Sequence, residues 1–427
     1  HTLQKILPVR YLLKSGLVPI IQRFVFSKNL LNCLKSLYSF RIVLRTFYHF
    51  YESVKNFYMN KQRICIVGDG LSGLMTAICL NQIPGIEVNL LAKKAVNKQD
   101  KRTTAISDTN FKFIKENFAE LNNKLFWPTK NIELFYETAQ EKINFLNLSE
   151  KNSNLMYVFE NYKVKNILLK ELLKKKIKII RREIQNLDEL KKFDLIILCL
   201  GGRSKVYNKI IKKRSINKDY KEVAVTGYVK HSLKRLNTSQ FFLREGPLAI
   251  LPFSKNCFSF VWSLKKEFYK SNSKKINDLV KTKILEILKT QKNINISNVQ
   301  SYPISLGLKR QYHKKNILIL GEGLHTIHPV AGQGFNLVLR DIKKLKEIIK
   351  YYSGLGISVK NSYALNDFYI SRKPENIIMG LGVDATHKFF KQNKYLDPFK
   401  EIIVNNISNN NTLKKISKII SNRGLSL

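Results

Sequence analysis

The sequence predicts an α/β fold: a Rossmann-like parallel-sheet domain, an inserted domain built on a mixed or antiparallel sheet, and C-terminal helices. Three observations predict it. The apolar run Arg63-Ile64-Cys65-Ile66-Val67 passes through a glycine-rich turn into a helical pattern from Leu71 to Gln82, and after the Pro84-Gly85 turn a second apolar run spans Glu87 to Leu91. This is a βαβ unit with strands buried on both faces. Two later apolar runs, Phe193 to Leu200 and Asn316 to Leu320, also end in glycine-containing loops and read as further strands of that sheet. Between them, Glu222 to Val229, Ser239 to Leu243, Leu248 to Phe253 and Phe258 to Leu264 follow one another with short turns and little helical signal. That pattern marks an antiparallel sheet inserted into the first domain. From Asp341 onward the periodicity is helical, and Leu413, Ile416, Ile419 and Ile420 share one face of a lysine-rich terminal helix.

The chain has 427 residues, enough for two or three domains, and 44% hydrophobic residues, which argues for a folded protein. Five cysteines are scattered without a CxxC or His/Cys cluster, so neither a disulfide framework nor a structural zinc site is expected. Lys and Arg number 75 against 31 Asp and Glu, a formal charge of +44. Two origins fit that excess: a Lys-, Asn- and Ile-rich base composition acting on exposed positions, or attraction to an anionic bilayer. No RNP box, zinc finger or basic arm is present, so no nucleic-acid partner is expected. Residues 1–58 hold nine basic residues and one acid, Glu52, and read as a basic leader. Met59 stands directly before the first strand and is the expected start of translation, which would make the leader non-native. No run of about 18 apolar residues crosses a membrane.

Gly68-Asp69-Gly70-Leu71-Ser72-Gly73 is a GxGxxG turn after a strand and opening a helix. There the first glycine permits the turn, the second admits a pyrophosphate to the backbone, and the third allows close helix–strand packing. Helix N–H groups complete an anion site. The acid expected at the end of the second strand to bind a ribose is absent: Ala92 occupies its place, so the ribose is held more weakly or by another group. A second constellation runs from Ile317 through Gly321-Glu322-Gly323-Leu324-His325-Thr326-Ile327-His328-Pro329-Val330-Ala331-Gly332-Gln333-Gly334-Phe335-Asn336 to Asp341. It is a buried strand, a glycine and proline loop, and a helix starting near Gln333. Such a loop brings backbone amides close to a flat ligand, and the helix N-terminus stabilises negative charge on it. His325 and His328, at i and i+3 beside a proline, form no helical ligand pair and have no carboxylate cluster nearby in sequence. No metal site is expected there, but rather loop packing or hydrogen bonding. Arg340, Lys343, Lys344, Lys346 and Lys350 read as a solvated helix face.

The second constellation resembles the third flavin motif of class A flavoprotein monooxygenases, in the form GDAAHxxHPLAGQGLNLGLxD found in their ubiquinone-biosynthesis branch. Asp100-Lys101-Arg102-Thr103-Thr104-Ala105-Ile106-Ser107 is similar to that branch's D-x-R-x-x-A-L-S segment, Val158-Phe159-Glu160-Asn161 to its V-V-E-N segment, and Gly246 to Pro252 with Val261-Trp262-Ser263 to its substrate-domain strands. The resemblance spans about residues 61–425. It implies an FAD-binding domain formed by residues 59–110, 165–215 and 301–350, a substrate domain formed by 111–164 and 216–300, and a helical region, 351–427. The implied cofactor contacts are Gly68, Gly70, Ser72, Gly73, Arg102, Gly321, Glu322, Gly332, Gln333, Gly334 and Asn336, with the Pro329 and Gly332 backbone bordering the reacting face of the flavin. Glu322 replaces the branch's aspartate, and Leu200 in Leu200-Gly201-Gly202-Arg203-Ser204 replaces an aspartate tied to flavin and NAD(P)H handling.

The implied activity is hydroxylation of a polyprenylated phenol or quinol in ubiquinone biosynthesis. FAD would be reduced by NAD(P)H or a redox partner, and O2 would add to give a C4a-hydroperoxide. Two other readings stand beside it: a non-catalytic flavin-binding scaffold of a quinone-synthesis complex, and another class A enzyme such as an isoprenoid epoxidase. The implied place is peripheral to the bacterial inner membrane, or the matrix side of the mitochondrion in a eukaryote.

Overall fold

The computed structural model describes residues 61–93, 100–138, 140–184, 186–210, 215–391 and 397–409, with Thr412, Lys415 and Asn422. The leader at 1–58 and the terminal Leu413, Ile416, Ile419 and Ile420 lie outside these residues. Strands β1 (Gln62–Val67) and β2 (Ile86–Ala92) flank helix α1 (Leu71–Leu80), and both strands are buried apart from Gln62, Arg63 and Glu87. There follow β3 (Thr103–Ser107), α2 (Asp108–Asn117), β4 (Trp127–Thr129), β5 (Asn131–Glu137), β6 (Lys142–Ser149), β7 (Met156–Glu160), α3 (Asn161–Lys174), β8 (Lys178–Arg181) and β9 (Leu195–Leu198). The inserted segment supplies β10 (Ile216–Lys230), β11 (Thr238–Leu243), β12 (Gly246–Ser254), β13 (Cys257–Lys265), α4 (Lys266–Ser271) and α5 (Ile276–Ile287). The chain continues through β14 (Asn295–Leu308), β15 (His313–Lys314), β16 (Ile317–Ile319), β17 (His325–Thr326), α6 (Gly334–Gly354), α7 (Ser362–Phe390) and α8 (Asp397–Asn409).

The strands form three sheets. One has the order β15-β16-β9-β1-β2-β8, with β1 parallel to β2 and β9, β16 parallel to β9, and β2 parallel to β8. The runs read as Phe193 to Leu200 and Asn316 to Leu320 thus belong to the sheet that β1 opens. The second sheet has the order β17-β14-β10-β13-β12-β11-β5-β6 and is mixed, because β11 pairs in parallel with β5 while β10 to β13 pair antiparallel. A three-stranded sheet, β3-β7-β4, stands apart from both. The boundary expected at 300/301 falls inside β14, whose whole length pairs with β10 in the large sheet. A strand cannot be divided between domains without breaking its ladder of hydrogen bonds.

Two apolar cores match this division. Leu74, Ile78, Ile66 and Leu198 pack with Leu339 and Leu345 of α6 around the parallel sheet. Phe258, Phe260 and Trp262 on β13 pack with Val280 and Ile284 of α5 on the large sheet. Trp262 is fully buried, and its indole N–H donates to Gly246 O at 3.2 Å, which satisfies the one polar atom the ring carries. Among the described residues, no helix is long and apolar enough to cross a membrane.

Helix α6 corrects one expectation. Lys343 and Lys350 are exposed, but Arg340 is buried and pairs with Glu375 at 3.4 Å, and Lys346 donates to Gln82 Oε1 at 2.6 Å. The first turns of α6 are packed on every side, since Asn336 to Ile342 are buried without interruption, so a charge there must be paired rather than solvated.

Candidate cofactor cleft

A cleft of about 510 Å³ opens at the C-terminal ends of the parallel strands. That is where open α/β sheets bind ligands. Of the residues expected at a cofactor, Gly68, Gly70, Ser72, Arg102 and Glu322 line it. The glycine turn shows why each glycine is needed. Gly68 has φ +117°, and a Cβ there would lie 2.2 Å from Cys199 O; one on Gly73 would lie 1.9 Å from Gly68 O. Both are steric requirements of the protein itself. Gly70 differs: its φ is −70°, and among the described residues a Cβ would meet no atom within 4 Å. Nothing in the fold demands glycine there, so its bareness fits a ligand that approaches the backbone. Gly70 also caps α1 without a side-chain hydrogen bond, leaving the first N–H groups of the helix to face the cleft.

The opposite wall carries Arg102. Its Nε and Nη2 donate to the two oxygens of Asp100, each at 2.8 Å, and its guanidinium lies 4.9 Å from the centre of the Tyr302 ring. Asn161 Nδ2 adds a bond to Asp100 Oδ2 at 3.1 Å. Burial disfavours ionised Asp100, but the bonds from Arg102 and Asn161 outweigh it and hold the carboxyl below the usual carboxylate range. Arg102 is thereby fixed as a cation beside the cleft. Asp69, inside the glycine turn, is held by Arg181 at 3.1 Å and Lys165 at 3.4 Å. Leu200 and Ala92, which stand where acids were expected, both line the cleft.

The loop after β16 supports the cleft more than it lines it. Gly321 has φ +74° and packs against Ser72, where a Cβ would come within 3.0 Å. Pro329 opens a short 3₁₀ turn that ends at Gly332 in the left-handed region, φ +59°, and Gln333 caps α6 ahead of Gly334. Pro329, Gly332, Gln333 and Gly334 stand on this loop outside the cleft lining, while Phe335 and Val338 of α6 form part of the wall. Asn336 makes all its bonds to the protein: its Oδ1 accepts from Ser107 N at 2.9 Å and Asn110 Nδ2 at 2.7 Å, and its Nδ2 donates to Ala105 O and Gly332 O. It therefore positions the loop.

The two loop histidines are anchored by groups far away in sequence. His325 Nε2 bonds Asp341 Oδ2 at 2.7 Å, and Asp341 is held in turn by Arg372 Nε at 2.6 Å and by Asn376. His328 and His387 both direct Nε2 at Glu222 Oε2, each at 3.1 Å, with ring centroids 4.1 Å apart. Among the described residues, this is a cluster whose donor atoms lie within 4.8 Å of one another, the spacing of a metal site. Its hydrogen bonds point elsewhere. His328 Nδ1 accepts from Val330 N at 3.1 Å, which leaves the ring proton on Nε2 and makes that atom a donor to Glu222. A shift of ladder register between Asp219 and Glu222, with Lys221 at φ +55°, turns the carboxylate inward, as bulges do.

This cluster sets an acid limit. Burial would raise the Glu222 pKa, but the bonds from His328 and His387 outweigh it and bring it from 4.5 to about 2. Its stabilising contribution is complete above pH 4.5 and is lost as pH falls toward 2. Burial also lowers the His328 pKa below 6.5, so protonation of the unfolded chain begins to oppose folding below that pH. The thermal midpoint is expected to fall on acidification from pH 6.5, and the gap between wild type and Glu222→Gln to narrow between pH 4.5 and 2. Scanning calorimetry across that range checks it; a gap independent of pH would contradict the assignment.

The fold is shared with solved monooxygenases. A p-nitrophenol 4-monooxygenase from Pseudomonas putida DLL-E4 superposes with TM-score 0.69 at 12% identity, covering 86% of this chain and 100% of that one. A probable FAD-dependent monooxygenase from Pseudomonas aeruginosa, PqsL, superposes with TM-score 0.62 at 14% identity, covering 78% and 97%. The squalene epoxidase family profile matches residues 265–408. By sequence, the chain is similar to the mitochondrial ubiquinone biosynthesis monooxygenase COQ6 of Dictyostelium discoideum, at 27% identity over 50% of this chain and 53% of that one. It is also similar to the 3-demethoxyubiquinol 3-hydroxylase of Escherichia coli, at 28% identity over 37% and 40%. The fold is that of these solved monooxygenases. By sequence the chain is similar to ubiquinone-biosynthesis monooxygenases and hydroxylases, and it spans about half the length or less of these relatives.

Proposed function

We propose that the protein binds FAD in this cleft and hydroxylates the aromatic ring of a polyprenylated phenol or quinol in ubiquinone biosynthesis. The observation that carries the FAD reading is Gly70, bare for no reason of packing, facing a cleft that Arg102 and Glu322 also reach, and the substrate class rests on the similarity to ubiquinone-biosynthesis monooxygenases. FAD, when bound, supplies the activated oxygen; NAD(P)H is the proposed electron donor and O2 the co-substrate. The N-terminus of α1 and Arg102 provide positive charge for the pyrophosphate. Glu322 offers an acceptor to the ribityl hydroxyls, while the Pro329 to Gly334 loop, outside the cleft lining, leads into α6 behind it. Phe335 and Val338 keep that wall apolar and limit the entry of water. The squalene epoxidase match takes in α4, α5 and β14 of the large sheet as well as the loop after β16 and the helices that follow, while the sequence similarity to ubiquinone-biosynthesis monooxygenases favours the phenol or quinol substrate. Such a substrate is insoluble in water, which places the protein peripheral to a bilayer, at the bacterial inner membrane or on the matrix side in a eukaryote, and suits membership of a quinone-synthesis complex.

The test has two parts. Purified protein should carry FAD and oxidise NAD(P)H in the presence of a quinol precursor, and a deletion strain should accumulate an under-hydroxylated polyprenyl phenol visible by mass spectrometry. Colourless protein that takes up no added FAD, or a strain with an unchanged quinone profile, overturns the proposal.

A further inference from the structure

The cleft's glycine turn implies an adenosine ribose at the end of β2, yet β2 ends in Ala92, which has nothing to offer a hydroxyl. The neighbouring strand compensates. β8 runs parallel to β2 with Ala92 opposite Arg181, so the residues after Arg181 emerge beside the tip of β2. Arg182, Glu183 and Ile184 line the cleft there together with Ala92 and Lys93. Glu183 Oε1 accepts from Lys93 Nζ, one residue past Ala92, which fixes where the carboxylate lies.

Four carboxylates line the cleft among the described residues: Asp69, Asp100, Glu183 and Glu322. Asp69 is held through Oδ2 by two cations, Arg181 and Lys165. Asp100 is bonded on both oxygens by Arg102, with Asn161 on Oδ2 as well. Glu322 is beside Gly201, in the turn after β9, on the other side of β1 from β2. Glu183 remains, at the right strand end and, among the described residues, with Lys93 as its one partner. That pair is open to water, with Lys93 and Glu183 side chains 71% and 65% exposed. An ion pair so exposed contributes little, so a ribose can take the carboxylate from Lys93 at little cost.

We infer that Glu183 is the ribose-binding acid of this protein, transferred from the end of β2 to the end of β8 and accepting hydrogen bonds from the adenosine 2′- and 3′-hydroxyls. The inference rests on the FAD reading above. It predicts that Glu183→Gln weakens FAD binding roughly tenfold to a hundredfold, the range of a well-aligned charge-assisted hydrogen bond. Ala92→Glu, which puts the acid back on β2, should restore most of the loss in the Glu183→Gln background.

Flavin-fluorescence titration of the full-length apoprotein with FAD, and with an FAD analogue lacking the adenosine 2′-hydroxyl, reads both effects. Wild type should bind the deoxy analogue less tightly than FAD, and Glu183→Gln should bind the two alike. Glu183→Gln with unchanged FAD affinity, or with its full preference for FAD over the analogue, overturns the inference while leaving FAD binding intact. Wild type that binds neither flavin refutes the FAD reading itself, a separate result.

Discussion

A Gly70→Val variant is expected to fold normally and to carry no flavin. The backbone at Gly70 has φ −70°, which valine adopts, and among the described residues its Cβ would meet no atom within 4 Å. The new methyl groups would instead occupy the approach to the first turn of α1, where the pyrophosphate must contact backbone N–H groups. The purified variant should show a far-ultraviolet dichroism melt like that of wild type and no visible flavin absorbance, even after incubation with excess FAD. Full absorbance would mean that the turn is not the phosphate site. Gly73→Val is the contrasting case: its Cβ would fall 1.9 Å from Gly68 O, so that protein should fail to fold.

A large loss of stability in a protein that still folds is expected at Arg372. Its guanidinium bonds Asp341, Glu375 and Asn376, all buried, and Asp341 is fully inaccessible. Arg372→Ala leaves Asp341 facing only His325 and Asn376, and removes one of the two arginines that hold Glu375. Breaking a buried pair from one side costs about 3–5 kcal/mol. Chemical denaturation should show a loss of that size, while Lys191→Ala, at an exposed pair with Asp188, should change stability by less than about 0.5 kcal/mol. An Arg372→Ala protein as stable as wild type would show that the network is not holding α7 against the flavin loop.

The parts of this site legible in the sequence are those whose chemistry is local. The turn Gly68 to Gly73 sits between a strand and a helix that both declare themselves by periodicity, and the loop from Gly321 to Asn336 is one continuous segment. What was hidden depends on contacts between distant segments. Glu222 lies 165 residues before His387, and in sequence it reads as one polar position of an alternating strand; only the bulge at Lys221 turns it inward. Arg340 reads in sequence as part of a solvated face with the lysines that follow it, but the turn it occupies is enclosed by α7 and by Asn422. Glu183 follows Arg181 and Arg182 in a run of charges that looks like solvated surface. Its significance depends on the pairing of β8 with β2, which no local pattern records.

The loop that carries Glu322 is tied at its two ends to different sheets. β16 is bonded to β9 in the parallel sheet, and β17 to β14 in the large one, with only Leu320 to Leu324 between them. Those five residues are wound into the short 3₁₀ turn Gly321–Gly323, closed by the Leu324 N–H donating to Gly321 O at 2.9 Å. Glu322 therefore rides on a stitch between the two sheets: one end of its turn is sewn to β9 and the other to β14, and a substitution that loosened either seam would be felt at the carboxylate.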